Sequence, residues 1–590
     1  MYEYVEKIKK NIGVEFKMRI GLNSGHVIVG SIGVDLRMDY SAVGDTTNLA
    51  SRMENAAEAG SVLVSENTHK IVRSYFEFEP IGEIEVKGKE KPQVAYKLTK
   101  AGDVETRIGA SIAKGLTRFV GRPNSMPALM EAWEKAKSGS GQVVGVVGEA
   151  GVGKSRILLE FRDRLPQGEF AYLEGQCLQY GENIIYSPIK DIVKTYFDIE
   201  DGDREFQIKK KVIEKTYSLD EAFSESSLPV FQDFLSLKVD DDAYMKLEPQ
   251  QIRERTFETI RDLFIRISQI KPLIIAVEDL HWIDRTSEEF LDYLIEWIAK
   301  APIMLTLLYR TEYRHQWGSK TYYNRIGLDH LGPESSTELV RSMLEDGEIA
   351  PELKNLILER SAGNPLFIEE FTYSLKENGT IQRKNDRYVL SRSISELDVP
   401  DTIQAILAAR MDRLEENLKR TMQVASVIGR DFAFRILQAI TDMREELKSC
   451  LLNLQGLEFI YEKSLFPELE YIFKHALTRE VAYNSLLVKR RKEIHEQIGK
   501  AIEELYANRL EELYEMLAYL YSKSDSIEKA LRYSMLSGEK AEANYSHKEA
   551  WDFYKGVLNL LGHLPETNEN KREKMEIIYL MRHPFSYLGY

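Results

Sequence analysis

The chain has 590 residues, more than one hydrophobic core organises, since single cores rarely grow past about 250–300 residues, so several domains are expected. An apolar share of 43% and a charged share of 29% are those of ordinary folded domains, and a net charge of −15 speaks against binding a nucleic-acid phosphate backbone. Two distant cysteines, Cys177 and Cys450, argue against a disulfide framework, and the charged start and the lack of any run of about 18 apolar residues argue against a signal peptide and a membrane span, leaving the cytoplasm as the expected compartment.

Taken in order, Met18 to Gly25 begins as a strand, and Val27 to Ile32, with Gly30 and Gly33, continues as a second apolar run. Asp45 or Thr46 can cap a helix on which Asn48 and Arg52 stand four apart, hence on one face. An amide and a guanidinium on one spot suit a ribose and a phosphate, although a surface helix carries such a pair routinely. The whole string, Arg19 to Gly25, Gly30 to Gly33 and Tyr40 to Glu54, resembles the carboxy-terminal half of the class III adenylate/guanylate cyclase catalytic domain. Val86-Lys87-Gly88 and Tyr96 match that domain's end. The resemblance implies a partial ferredoxin-like cyclase module over residues 1–98, with Asn48 positioning the ribose and Arg52 stabilising the phosphate in the transition state. Ser41 falls at the base-selecting position, a hydrogen-bonding variant of the Asp or Thr of adenylate cyclases. The family holds its two metals with two Asp residues upstream of the R-I-G strand. Here only Met1 to Lys17 precede it, and Glu3, Glu6 and Glu15 lack the family's F-x-D setting. The expectation is that the metal-binding half is missing, that this chain alone makes no cyclic AMP, and that a partner cyclase domain would supply the metal Asp residues.

Residues 99–117 read as a linker, polar and aperiodic through Lys100 to Lys114. Phe119-Val120-Gly121-Arg122 opens the next domain, and Asn124 is placed to cap a helix carrying Met126, Leu129, Trp133 and Ala136. Next comes the most specific stretch of the chain. Val143 to Val147 lead into Gly148-Glu149-Ala150-Gly151-Val152-Gly153-Lys154-Ser155, and Ile157, Leu158, Phe161 and Leu165 then fall at helical spacing. Strand, glycine loop and helix in that order form a phosphate loop: Gly148, Gly151 and Gly153 let backbone N–H groups close around a phosphate at a helix N-terminus. Lys154 can reach the terminal phosphates of ATP or ADP, and the Ser155 hydroxyl can ligate Mg²⁺.

A second apolar strand, Leu273 to Val277, ends in Glu278-Asp279, which brings paired acids to the sheet edge where the phosphate loop lies. Glu278 is assigned to the Mg²⁺ shell and Asp279 to orienting or deprotonating water, with exchange of the two roles left open. The strand Ile303 to Tyr309 ends in Arg310, which either senses a γ-phosphate or is simply solvated. In Ser361 to Glu370, Gly363 and Pro365 fix a turn that could wall an adenine pocket.

These pieces in this order resemble the signal-transduction ATPases with numerous domains, a branch of the AAA-like P-loop NTPases, and most closely those that follow cyclase domains. The resemblance runs from about Arg118 to Leu505. It implies a parallel-sheet ATPase over 118–395, a helical and winged-helix domain over 396–505, Val120 and Gly121 among the nucleotide-binding residues, and His475 touching the β-phosphate of ADP. The residues agree: Ile403, Ile406 and Ala409 share a helix face after Pro400, and Leu457 to Lys463 and Glu468 to Lys474 alternate around Phe466-Pro467 as a hairpin. The cluster Lys489 to Lys492 reads as a short basic face, not a DNA reader. Beyond Tyr506 the chain is helical, and Gly538, Ala550 and Tyr554 have the spacing of a tetratricopeptide unit, of which about one and a half repeats are visible over 506–590. Both ends read as cut from a longer architecture.

The expected fold class is multidomain α/β and α. The expected function is an ATP-binding signalling switch attached to a cyclase module, with a protein partner taken by the repeat helices. Two alternatives remain: a nucleotide-gated transcriptional regulator of the maltose-regulator type, which would need a basic helix-turn-helix output not found before Tyr590, and a non-functional gene fragment.

Overall fold

The computed structural model describes residues 17–24, 28–32, 39–43, 45–66, 68–69, 76–84, 93–101, 116–166, 168–178, 184–200, 203–384, 387–391, 402–441, 446–464 and 469–588. Glu3, Glu6, Glu15, Gly25, Gly33, Val86 to Gly88, most of the linker, Pro400 and Phe466-Pro467 lie outside the described residues. The chain divides into two compact units, Met1–Leu116 with Tyr461–Ser464, and Thr117–Ile460 with Leu465–Tyr590.

In the first unit the order is β1 (Ile20–Leu22), β2 (Ile28–Ile32), β3 (Asp39–Val43), α1 (Asp45–Ala56), β4 (Val62–Ser65), β5 (Phe76–Ile84) and β6 (Gln93–Ala101). One sheet runs β1-β4-β6-β5, parallel only between β1 and β4, and β2 and β3 form a separate antiparallel pair. Leu49 and Met53, one helical turn apart on α1, pack with Ala57, Leu63 and Ala95. Helix and strand meet at Gly21, where a Cβ would stand 2.0 Å from the Glu54 backbone N and 2.2 Å from the Ala50 carbonyl oxygen. Only glycine allows that approach.

The second unit is built on α2 (Ser125–Lys137), β7 (Gln142–Val147), α3 (Lys154–Arg164), β8 (Ala171–Gln176), α4 (Ser187–Tyr196), β9 (Leu273–Glu278), α5 (Arg285–Ile298), β10 (Ile303–Tyr309) and β11 (Tyr323–Gly327). Its five strands are all parallel, in the order β11-β7-β10-β9-β8. β7, β9 and β10 are buried at every position. Alternate residues enter two different cores: Val143, Ile275 and Leu305 on one face, Val144, Ile274 and Met304 on the other. Burial on both faces is why these strands read as unbroken apolar runs. The expected cap at Asn124 is not made. Asn124 precedes α2 in helical conformation, and its side chain makes no capping hydrogen bond.

Beyond the sheet lie helices Pro333–Met343, Pro351–Ser361 and α6 (Pro365–Glu377), followed by α7 (Ile403–Asp412) and α8 (Glu416–Ile428). The strand Asp431–Ala433 pairs antiparallel with Glu470–Phe473, and Ile460–Ser464 is also a strand, so strands fall on both stretches where alternation was read. The carboxy-terminal part is helical, including α9 (Ile527–Ala543) and α10 (His547–Gly562). These two helices close on each other where Gly538 faces Tyr554; a Cβ there would be 2.5 Å from the ring. Ala541, Ala550, Tyr554 and Val557 belong to the same extended core as β9, β10 and the helices flanking them. No described helix is long and apolar enough to cross a membrane.

Candidate nucleotide site

From Val147 the chain enters the loop Gly148 to Gly153, with Gly151 and Gly153 at φ +80° and +98°, the left-handed region that glycine adopts without strain. Gly153 is the N-cap of α3 and no side chain caps it, so the first N–H groups of the helix face the loop. The Lys154 ammonium donates to the carbonyls of Gly148 and Glu149, each at 2.9 Å, and so lies across the loop. Burial draws its pKa below the ordinary value, and Asp279 opposes that shift. Ser155 Oγ donates to Glu278 Oε2 at 2.9 Å, which joins the residue after the loop lysine to the last residue of β9.

Glu278 is buried, at 8% exposure. Burial pushes its carboxyl up to about 8, Glu174 adds to the rise, and Arg430 and the Ser155 hydroxyl pull the other way. A hydroxyl and a carboxylate oxygen converging beside a phosphate loop are hard donors of the kind Mg²⁺ takes, and Mg²⁺ keeps water and phosphate for its remaining positions. A carboxyl that burial discourages from ionising also gains most from meeting a cation, so the residues present fit the metal. Asp279 follows in a left-handed conformation, φ 53°, and heads the short 3₁₀ turn Leu280–Trp282. Arg430 Nη1 donates to its Oδ2 at 3.2 Å. Neither ring nitrogen of His281 has a hydrogen-bond partner among the described residues, and burial, then Arg310, bring its pKa down to about 4. Arg310, at the end of β10, is near enough to Lys154 and His281 to lower both pKa values and lies 4.0 Å from Glu312.

Two residues not singled out in the sequence hold the loop. Arg122 donates from Nη2 to the Val152 carbonyl at 2.7 Å and from Nη1 to the Asp329 carbonyl at 2.8 Å. Asn364 donates to the Ala150 carbonyl at 3.1 Å, while its Oδ1 caps α6 by accepting from the N–H groups of Leu366 and Phe367. Pro365 is the first residue of that helix. The Gly-Asn-Pro turn therefore braces the phosphate loop; Asn before Pro at a helix start signals the N-cap, but not the contact with Ala150. Val120 packs toward the core around Leu331 and Leu339, and a Cβ on Gly121 would stand 2.7 Å from Leu331. His475 precedes the helix Ala476–Asn484, its Nε2 3.8 Å from Glu370 Oε1. Burial, then Lys474 and Arg430, hold its pKa well below the ordinary value. Glu370 itself pairs with buried Arg410, which also holds Glu377 at 2.7 Å.

In the first unit Asn48 is exposed and Arg52 half-buried on α1. Arg52 Nη1 is buried with no hydrogen-bond partner among the described residues. Asn23 ties the layers together, donating to the Thr46 carbonyl at 2.9 Å and accepting from Ser65 Oγ at 2.6 Å. Ser41 stands on β3 opposite Gly30 of β2.

Three families match the chain: the adenylate and guanylate cyclase catalytic domain over residues 1–100, an AAA ATPase domain over 118–305, and a domain of unknown function (DUF8739) over 332–388. An uncharacterized protein of Rhizobium meliloti is 24% identical over 571 residues, 95% of this chain and 54% of that protein. Adenylate cyclase 1 of the same organism is 36% identical over 86 residues, 14% of this chain and 13% of that protein. The chain thus spans about half the length of the first relative and a small part of the second. Among solved structures, a signal transduction ATPase with a tetratricopeptide repeat sensor from Pyrococcus horikoshii is 16% identical, over 80% of this chain and 62% of that one, with a TM-score of 0.36.

Proposed function

We propose that this chain, in which a nucleotide cyclase domain precedes an AAA ATPase domain, is a cyclic-nucleotide signalling protein whose ATPase binds and slowly hydrolyses ATP as a switch. The contact of Ser155 Oγ with Glu278 Oε2 at 2.9 Å carries the reading, because it brings the two elements of a Mg–nucleotide site to one point. In this reading the loop N–H groups and Lys154 hold the phosphates, and Ser155 and Glu278 hold the metal. Bound Mg²⁺ supplies charge neutralisation on the phosphoryl oxygens. Asp279 orients a water and takes its proton as the new oxygen–phosphorus bond forms and the β–γ bridge breaks, leaving ADP and phosphate.

The residues 396–505 are read as a helical and winged-helix domain that closes on the nucleotide, with His475 at its edge, and 506–590 as tetratricopeptide-like helices that take a protein partner. Support for coupling between array and ATPase comes from Glu549 of α10, whose carboxylate accepts from the Thr286 N–H at 2.9 Å at the start of α5, the helix that follows Asp279. For the cyclase domain, Asn48 and Arg52 are assigned to ribose and phosphate. Ser41 is assigned to contact the base, with adenine and guanine both open.

The test is Lys154→Ala in the full chain. Loss of one charge-assisted phosphate contact, about 1.5–3 kcal/mol, should weaken ATP binding at least about tenfold by calorimetry. Superimposable titrations of variant and parent would refute the site.

A further inference from the structure

We infer that Arg430 is a positioning residue through which the helical module holds ATP hydrolysis in check, by occupying the Asp279 oxygen that the attacking water needs. The inference rests on the assignment of Asp279 to water activation above. Arg430 lies outside the ATPase sheet, just past α8, yet its Nη1 donates to Asp279 Oδ2 at 3.2 Å across 151 residues of chain. Its backbone is anchored on its own side. The Arg430 carbonyl accepts from the Phe473 N–H at 3.0 Å, and the next three residues pair with Ile472, Tyr471 and Glu470. Arg430 therefore travels with the strand pair of the helical module and not with β9.

The Asp279 backbone is held at the strand end by its φ of 53° and the hydrogen bond from the Trp282 N–H to its carbonyl, 2.9 Å, so exchange of partners there asks only a rotation of the side chain. The guanidinium, by contrast, is incompletely satisfied. It gives Asp279 a single N–H where a fork could give two, and its buried Nε has no hydrogen-bond partner among the described residues. Such a contact can be exchanged readily if the module shifts. A carboxylate oxygen engaged by a guanidinium is a poorer acceptor for water, and hydrolysis asks Asp279 to accept from water. The competing arrangement, in which Arg430 acts directly on the γ-phosphate, predicts the opposite sign on removal.

The experiment is steady-state phosphate release by the full chain and its Arg430→Gln, Arg430→Lys, Asp279→Asn and Arg430→Gln/Asp279→Asn variants. Arg430→Gln is expected to raise kcat at least about fivefold with KM for ATP within about twofold. A general loosening of the fold would move KM as well. An unchanged or lowered kcat overturns the inference. Arg430→Lys reads the same contact with the charge kept: a smaller rise is expected, and a kcat equal to the parent's overturns it even if the glutamine variant fails to fold. In the double variant the rate should fall to that of Asp279→Asn. If it keeps the raised rate, the assignment of Asp279 is what fails, an outcome distinct from failure at Arg430.

Discussion

Asp284 gives a pH-dependent stability whose sign and size follow from its surroundings. It is the N-cap of α5, with Oδ1 accepting from the N–H groups of Ser287 at 2.8 Å and Tyr186 at 3.2 Å, while Oδ2 is buried without a hydrogen-bond partner among the described residues. Glu549 brings a second buried carboxylate to the same helix end. Burial first, then Glu549, raise the Asp284 pKa from 3.8 to about 7. Between those values the folded chain holds a proton that the unfolded chain has lost. Stability from this group is thus complete below pH 3.8, falls as pH rises, and is gone above about 7. At about 1.4 kcal/mol per pH unit, the loss between pH 5 and 7.5 is about 3 kcal/mol. Asp284→Asn keeps a capping oxygen and removes the charge. The difference in urea unfolding between variant and parent should then grow by about 3 kcal/mol in the variant's favour from pH 5 to 7.5. All five tryptophans lie in the second unit, so their fluorescence reports on it alone. Parallel pH profiles for the two proteins would refute the reasoning.

Asp279→Asn should leave ATP affinity within about twofold and lower phosphate release at least about tenfold; turnover equal to the parent's would reassign the acid. Arg122→Ala strips the loop of its clamp, so ATP affinity should fall about fivefold and thermal unfolding should come earlier, on about 1–3 kcal/mol for a buried carbonyl left unpaired; calorimetry and melting check both. Gly151→Ala and Gly153→Ala both place a Cβ in left-handed backbone, but only the former meets neighbours at 2.9 Å, Asn364 and Leu366, whereas the nearest atom to the latter is Arg156 Cβ at 3.8 Å. Gly151→Ala should therefore melt lower than Gly153→Ala, and equal melting temperatures would contradict the brace. For the cyclase domain, cyclic-nucleotide formation, by the chain alone or mixed with a further cyclase domain, should be lost in Arg52→Ala; product equal to the parent's would remove Arg52 from the transition state.

What the sequence determined by itself was local. The phosphate loop was legible because glycine spacing, a leading strand and a following helix are all short-range facts, and the structure has the helix starting at Lys154 with left-handed glycines before it. Strands β7, β9 and β10 were legible because burial on both faces leaves unbroken apolar runs. The α1 face carrying Asn48 and Arg52 followed from helical spacing in the same way. What only the tertiary structure decided was which distant groups share an environment. Nothing local marks Arg430 as the partner of an acid 151 residues away, Asn364 as a brace for Ala150 across 214, or Glu549 as a cap for the helix that begins at Arg285. Each of these is a polar side chain at an unremarkable position in its own element. Its role is fixed by the other segment that folding brings against it, because hydrogen bonds and desolvation act over a few ångströms of space however much chain lies between.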